Sequence, residues 1–216
     1  MKHVTFKAIT ILVDNNSWIL PYAKALVTYF SANYQCKLVR NADDIMQGDV
    51  CFLLGCTQII SEKILHRNKH NLVVHESSLP KGKGFAPMSW QIIEGQSSIP
   101  VCLIEATKNV DSGKIWLRDT LELNGSELHD EWRCKQGEIT IALAKKFIEC
   151  FPKLTPTVQR GQESYYAKRN KSDSELDINK SLAEQFNLLR VVNNNDYPAF
   201  FIKDGIKYKI EISRYD

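Results

Sequence analysis

Val50-Cys51-Phe52-Leu53-Leu54-Gly55 is a continuous apolar run that stops on a glycine. A strand covered on one face alternates apolar and polar side chains, whereas an unbroken run suits a parallel strand buried on both faces. Upstream, residues 8–13 form a second short run rich in β-branched side chains, closed by Asp14-Asn15-Asn16-Ser17, residue types that favour turns. Residues 36–39 and 72–74 add two more strand-like runs, the last ending on His75. Leu20, Ala23, Leu26, Val27 and Phe30 recur at helical spacing, with Ser17 as the predicted N-cap. Ser61 is predicted to cap a short helix before residue 72. The alternation predicts an open α/β sheet, mainly parallel, with helices on both faces.

Downstream, residues 100–105 and 115–123 read as strands joined by the turn 109–113, and 127–151 as a long amphipathic helix. Leu128, Trp132, Ile139, Ile141, Leu143, Ala144 and Phe147 supply its apolar face. Pro152, Pro156 and Gly161 then break the pattern, and residues 165–177 are polar and charged, as in a surface strap. A helix is predicted over 178–192. Strands over 199–203 and 207–212 meet at Asp204-Gly205, a strong hairpin signal. These changes divide the chain into residues 1–151 and a C-terminal strap, helix and hairpin over 152–216.

The bulk numbers are those of an ordinary globular chain: 216 residues, 44% hydrophobic, 25% charged, net charge +3. No block of lysine and arginine marks a nucleic-acid binder. Six cysteines form no C-x-x-C pair or metal-ligand spacing, so no metal is expected. Cys51 and Cys102 sit in buried-strand patterns; Cys56, at a strand end, suits packing or a site. The apolar stretch before Asp14 is too short to span a membrane and lacks the form of a signal peptide. A cytoplasmic location, with reduced thiols and no membrane partner, is therefore expected.

Open α/β sheets place ligands beyond the carboxyl ends of their strands. That rule nominates Asp14, residues 55–58 and His75 as neighbours in space. A long loop rich in Gly, Pro and Ser follows His75. Taken singly, a histidine at a strand end is as often structural as functional, and Asp-Ser-Gly at 111–113 is common turn chemistry.

The surrounding text says more. His75-Glu76-Ser77-Ser78-Leu79-Pro80-Lys81-Gly82-Lys83-Gly84-Phe85-Ala86-Pro87 resembles the H-x-S-x-L-P-x-x-[RK]-G-x-x-P signature of the folate-dependent formyltransferases. Trp90 and Gly95 continue it, and Val110-Asp111-Ser112-Gly113-Lys114-Ile115 resembles the family's [IV]-D-[ST]-G-x-I turn. The resemblance implies a Rossmann-like fold, N10-formyltetrahydrofolate as co-substrate, a homodimer, and catalysis by His75 and Asp111. It places the folate against Gly55, Cys56, Thr57, Gln58 and Ile59, and against Ile104 and Val110. Two positions depart from the family pattern. Val73 stands where the catalytic Asn-x-His has its asparagine, and Glu76 replaces the usual proline. Glu76 either aims a carboxylate into the site or faces solvent.

The tail, from Glu163-Ser164-Tyr165-Tyr166 through Phe186-Asn187-Leu188-Leu189-Arg190 to Tyr197-Pro198-Ala199-Phe200, resembles the sugar N-formyltransferases. Methionyl-tRNA formyltransferases share part of this pattern, but 216 residues leave no room for their further β-barrel domain. The implied acceptor is the 4-amino group of a nucleotide-linked dideoxyamino sugar, UDP-4-amino-4,6-dideoxy-N-acetyl-altrosamine of a pseudaminic-acid-type pathway. Glu76, Lys81, Lys83, Asn187, Arg190, Tyr197 and Phe200 are its expected contacts, with Arg190 meeting a diphosphate. Two rival readings stand beside this one: a non-catalytic folate or nucleotide-sugar binder, and a formyltransferase for another amino metabolite.

Overall fold

A computed structural model describes residues 6–215. Strand β1 (Ala8–Leu12) leads through helix α1 (Leu20–Ser31) to β2 (Gln35–Val39) and β3 (Gly48–Leu53). Helix α2 (Glu62–Leu65) precedes β4 (Asn68–His75), and β5 (Lys83–Gly84) lies in the loop before α3 (Pro87–Ile93). Then come β6 (Ser98–Glu105), β7 (Ile115–Glu122) and the 22-residue α4 (His129–Cys150). The C-terminal part holds β8 (Tyr165–Tyr166), α5 (Phe186–Val191), β9 (Ala199–Lys203) and β10 (Ile206–Ile210).

Six strands form one sheet in the order β2-β1-β3-β4-β6-β7. The first four are parallel; β6 runs antiparallel to β4, and β7 antiparallel to β6. Period-two alternation sorts the core onto two faces. Ile9, Ile11, Val50, Phe52 and Leu72 pack with Phe30, Leu143 and Phe147 of α1 and α4. Leu12, Val39, Cys51 and Leu53 face the other way, where Ile64 and Leu65 of α2 cover them. Both faces are therefore covered, one by long helices and one by a short helix and loops. Tyr22 lies against α4 so closely that a Cβ on Gly137 would stand 2.4 Å from its ring, so a larger residue there would have to push the ring aside.

Two local expectations are corrected and a third is refined. Ser17 does not cap α1: the N-cap is Ile19, and the Ser17 hydroxyl is buried with no partner among the described residues. Pro21 near the N-terminus of α1 removes one of the N–H groups that a cap would satisfy. Ser61 is the N-cap of α2 as expected, but through its backbone: its carbonyl accepts the Ile64 and Leu65 N–H groups, and its side chain makes no cap bond. The helix expected over 178–192 is only Phe186–Val191. Before it, Asp177 takes the Asn179 N–H and Glu184 takes the Ser181 N–H, local bonds that compete with a helical ladder. The hairpin turns at Asp204-Gly205, both at positive φ, the geometry that matches the strand twist. It ends at Ile210 because Asn194 takes the Ile212 N–H.

Candidate active site

Chain order reverses between β1 and β3, leaving a crevice beyond their carboxyl ends. Asp14, just past β1, accepts the amide N–H groups of Thr57 and Gln58, each at 2.9 Å, and Asn15 donates to the Gly55 carbonyl at 2.8 Å. The loop after β3 is thus tied to the loop after β1. Partial burial works against ionisation of Asp14, yet its bonds from Thr57, Gln58 and Asn15 hold the carboxyl below its ordinary value.

His75 closes β4. Its Nε2 lies 2.8 Å from the Gly82 carbonyl, and its Nδ1 lies 3.5 Å from Asp111 Oδ1. A carbonyl only accepts, so Nε2 donates, and the neutral ring keeps its lone pair on Nδ1. Asp111 adopts positive φ, and its Oδ2 accepts the Gly84 N–H at 2.9 Å. The turn carrying it presses on the end of β6: a Cβ at Gly113 would stand 1.7 Å from the Glu105 carbonyl oxygen. Lys83, fully buried, donates to Ser112 at 2.9 Å and Glu163 at 2.6 Å, fastening this turn to the strap.

These groups surround a cavity of about 530 Å³. His75, Asp111, Glu76, Gly55, Cys56, Thr57, Gln58, Ile59, Ile104 and Val110 all line it, as does Val73. The end of β4 separates two halves. Val73 and the neighbouring Cys56, Ile60 and Ala106 belong to one face of the sheet; Val74 packs on the α1–α4 face. Glu76 follows Val74 onto that second face, where its Oε1 accepts from Gln136 of α4 at 2.5 Å. Burial pushes the Cys56 thiol up to about 12, with the Asp14 charge adding to it, so it packs as a neutral group.

Five expected substrate contacts are placed elsewhere, and a sixth stands apart. Arg190 is 2% exposed and engages Glu127 through Nε and Nη2, both at 3.0 Å, so its charge has an internal partner. Lys83 is likewise consumed internally, and exposed Lys81 lies outside the cavity lining. Phe200 is 6% exposed under the Lys207 ammonium, and Tyr197 bridges to Asn193 in the C-terminal unit. Asn187 sits beside Gly95, off the cavity.

Arg133 and Gln136 were missed. With Thr140 they repeat at i, i+3 and i+7, a polar stripe inside the otherwise apolar face of α4, and all three line the cavity. That spacing was legible; which way the stripe faced was not. Burial lowers the Arg133 guanidinium to about 10. Among the described residues no cluster of three or more His, Cys, Asp or Glu suits a metal, and no helix is long and apolar enough to cross a membrane.

A histidine and an aspartate thus meet at the crevice of this sheet, and the chain can be compared with known proteins. The formyl transferase family profile matches residues 27–133. Methionyl-tRNA formyltransferase of Clostridium perfringens strain SM101 is 29% identical over 178 residues, covering 79% of this chain and 56% of that protein. Among solved structures, methionyl-tRNA formyltransferase from Clostridium thermocellum superposes with a TM-score of 0.82 at 17% identity, covering 97% of this chain and 94% of that one. A 4-N formyltransferase from Francisella tularensis gives 0.69 at 19% identity, covering 97% and 98%. Residues 27–133 carry the formyl transferase domain signature, and the chain has a Rossmann-like formyltransferase fold. It spans about half the length of the curated relatives it matches.

Proposed function

We propose that this chain transfers the formyl group of N10-formyltetrahydrofolate to the amine of a small acceptor, the 4-amino group of a nucleotide-linked dideoxyamino sugar. The observation that carries formyl transfer is the meeting of His75 and Asp111 in one cavity, 3.5 Å apart, inside a formyl transferase domain. An amino sugar as acceptor rests on the tail motifs, and a sugar N-formyltransferase from Shewanella sp FDAARGOS_354 is among the structures that share the fold. The folate would occupy the half lined by residues 55–60 and 104–110, the acceptor the half beside Glu76.

In this reading the acceptor nitrogen bonds to the formyl carbon, giving a tetrahedral oxyanion. Nδ1 of His75 takes the nitrogen's proton and returns it to N10 as the carbon–N10 bond breaks. The products are a formamide and tetrahydrofolate. Asp111, 3.5 Å from Nδ1, stabilises the ring once Nδ1 holds the proton and orients the incoming amine. With Val73 in place of asparagine, backbone N–H groups supply the oxyanion donors. Val73→Asn is accordingly expected to change kcat by less than tenfold; rescue of an inactive wild type by this substitution would instead favour the non-catalytic binder.

Asp14 holds the loop that the folate would touch. Asp14→Ala is expected to raise the KM for 10-formyltetrahydrofolate several-fold, with kcat little altered, in steady-state assays. Its folded carboxyl value is depressed, so its support is complete above the ordinary carboxyl value near ~4 and fades as pH falls through the lower folded value.

The decisive experiment is mass spectrometry of the purified chain with 10-formyltetrahydrofolate and a panel of UDP- and dTDP-linked amino sugars, with methionyl-tRNA alongside. A formylated sugar supports the proposal. Formylation of methionyl-tRNA alone, which the curated relatives' names favour as a second reading, would replace it. We include a cytoplasmic homodimer in the proposal.

A further inference from the structure

Arg133 is the one Lys or Arg side chain lining the cavity among the described residues. Its Nη1 donates to Gln136 Oε1 at 2.7 Å, a neutral acceptor, and Gln136 in turn donates to Glu76. Glu76 therefore reaches the guanidinium only through a carboxamide. Nε is buried with no partner, and Nη2 makes no hydrogen bond among the described residues. Those two nitrogens share one edge of the guanidinium plane, the fork that takes a carboxylate or phosphate. A buried donor left unpaired is costly, and a ligand that fills it removes that cost.

The side chain is also held in place. Its guanidinium carbon lies 4.8 Å from the Trp18 ring centroid and 4.3 Å from that of Trp132. A cation stacked between two indoles keeps its charge while losing rotamer freedom, so less entropy is lost when it binds. Arg133, Gln136 and Glu76 belong to the half of the cavity on the α1–α4 face, across the end of β4 from Val73, Cys56 and Ala106.

We propose that Arg133 receives an anionic group, carboxylate or phosphate, of the acceptor amine. This rests on the formyl-transfer reading, because it assigns the opposite half of the cavity to the folate. The acceptor class it defines is an amine whose anionic group lies on the α4 side of β4 when the nitrogen meets His75. Arg133 is then a specificity residue, and Gln136 and Glu76 position it.

The test is titration of intrinsic tryptophan fluorescence with inorganic phosphate and, separately, acetate, on the wild type, Arg133→Gln and Arg133→Lys. Parallel calorimetry uses 5-formyltetrahydrofolate, and circular-dichroism melts check folding. The expected result is a saturable response to at least one anion in the wild type, weakened tenfold or more in Arg133→Gln and less in Arg133→Lys. The folate Kd should stay within twofold in all three. Stronger phosphate binding identifies a phosphate-bearing acceptor, and stronger acetate binding a carboxylate-bearing one. Three results overturn the proposal: no saturable response in the wild type, an unchanged response in Arg133→Gln, or loss of folate affinity in folded Arg133→Gln, which would assign the anion to the folate's own carboxylates. Failure of the wild type to bind 5-formyltetrahydrofolate would instead strike the formyl-transfer reading, and the anion titration separates the two failures.

Discussion

Replacing His75 with alanine is expected to lower kcat by about a hundredfold or more while leaving a cooperatively folded protein. A positioned acid–base group contributes on that order, and Nδ1 of His75 is the ring nitrogen left without a hydrogen bond in the cavity. The fold should feel the change modestly. Truncation leaves the Gly82 carbonyl without its 2.8 Å donor, a loss of about 1–3 kcal/mol for a buried acceptor, and each kcal/mol shifts Tm by roughly 2–4 °C in a chain of this size. Steady-state kinetics at saturating acceptor, with a melt alongside, checks both halves. A folded His75→Ala protein that turns over at the wild-type rate would remove the residue from the reaction.

Arg190→Ala is expected to cost about 3 kcal/mol of stability and to leave nucleotide affinity unchanged. Arg190 and Glu127 are both nearly inaccessible, and removing one member of a buried pair strands the other, typically at 3–5 kcal/mol. The lower end applies because Glu127 keeps Lys135 at 2.7 Å and the N–H groups of Asn124 and Gly125. A further contact ties Arg190 to the fold: its carbonyl accepts from Trp132 Nε1 at 3.0 Å. Burial opposes ionisation of Glu127, yet Lys135 and the Asn124 amide hold its carboxyl at about 2. Its contribution to stability is thus complete above the ordinary glutamate value near ~4.3 and is lost as pH falls toward the folded one. Chemical denaturation at neutral pH measures the mutational cost, and calorimetry with UDP measures the affinity. A weakened UDP Kd with unaltered stability would restore Arg190 to the binding surface.

The sequence by itself determined what depends on neighbours along the chain. The apolar run at 50–54 identified a doubly covered strand because such a strand has no polar face to display. The Asp204-Gly205 pair identified the hairpin because its turn needs two residues tolerant of positive φ. His75 and Asp111 were legible because a strand end, a glycine-rich loop and a turn of fixed residue types surround them, and each type has a local reason. Gly113, for instance, stands where any side chain would strike the Glu105 carbonyl.

Only the tertiary structure decided which charges were free. Arg190 and Lys83 look like anion contacts in sequence, but Glu127, Glu163 and Ser112 occupy them from residues 63, 80 and 29 positions away. Arg133 reads as one more helix charge, yet the approach of α1 and the end of β4 puts Trp18 and Glu76 around it and turns it into the cavity. Ser17 has the chemistry of a cap, but its hydroxyl is buried and takes none of the helix's first N–H groups. In each case side-chain identity states what bonds a residue can make. Which of them it makes depends on the partners that distant segments bring within about 3 Å, a distance no local pattern encodes.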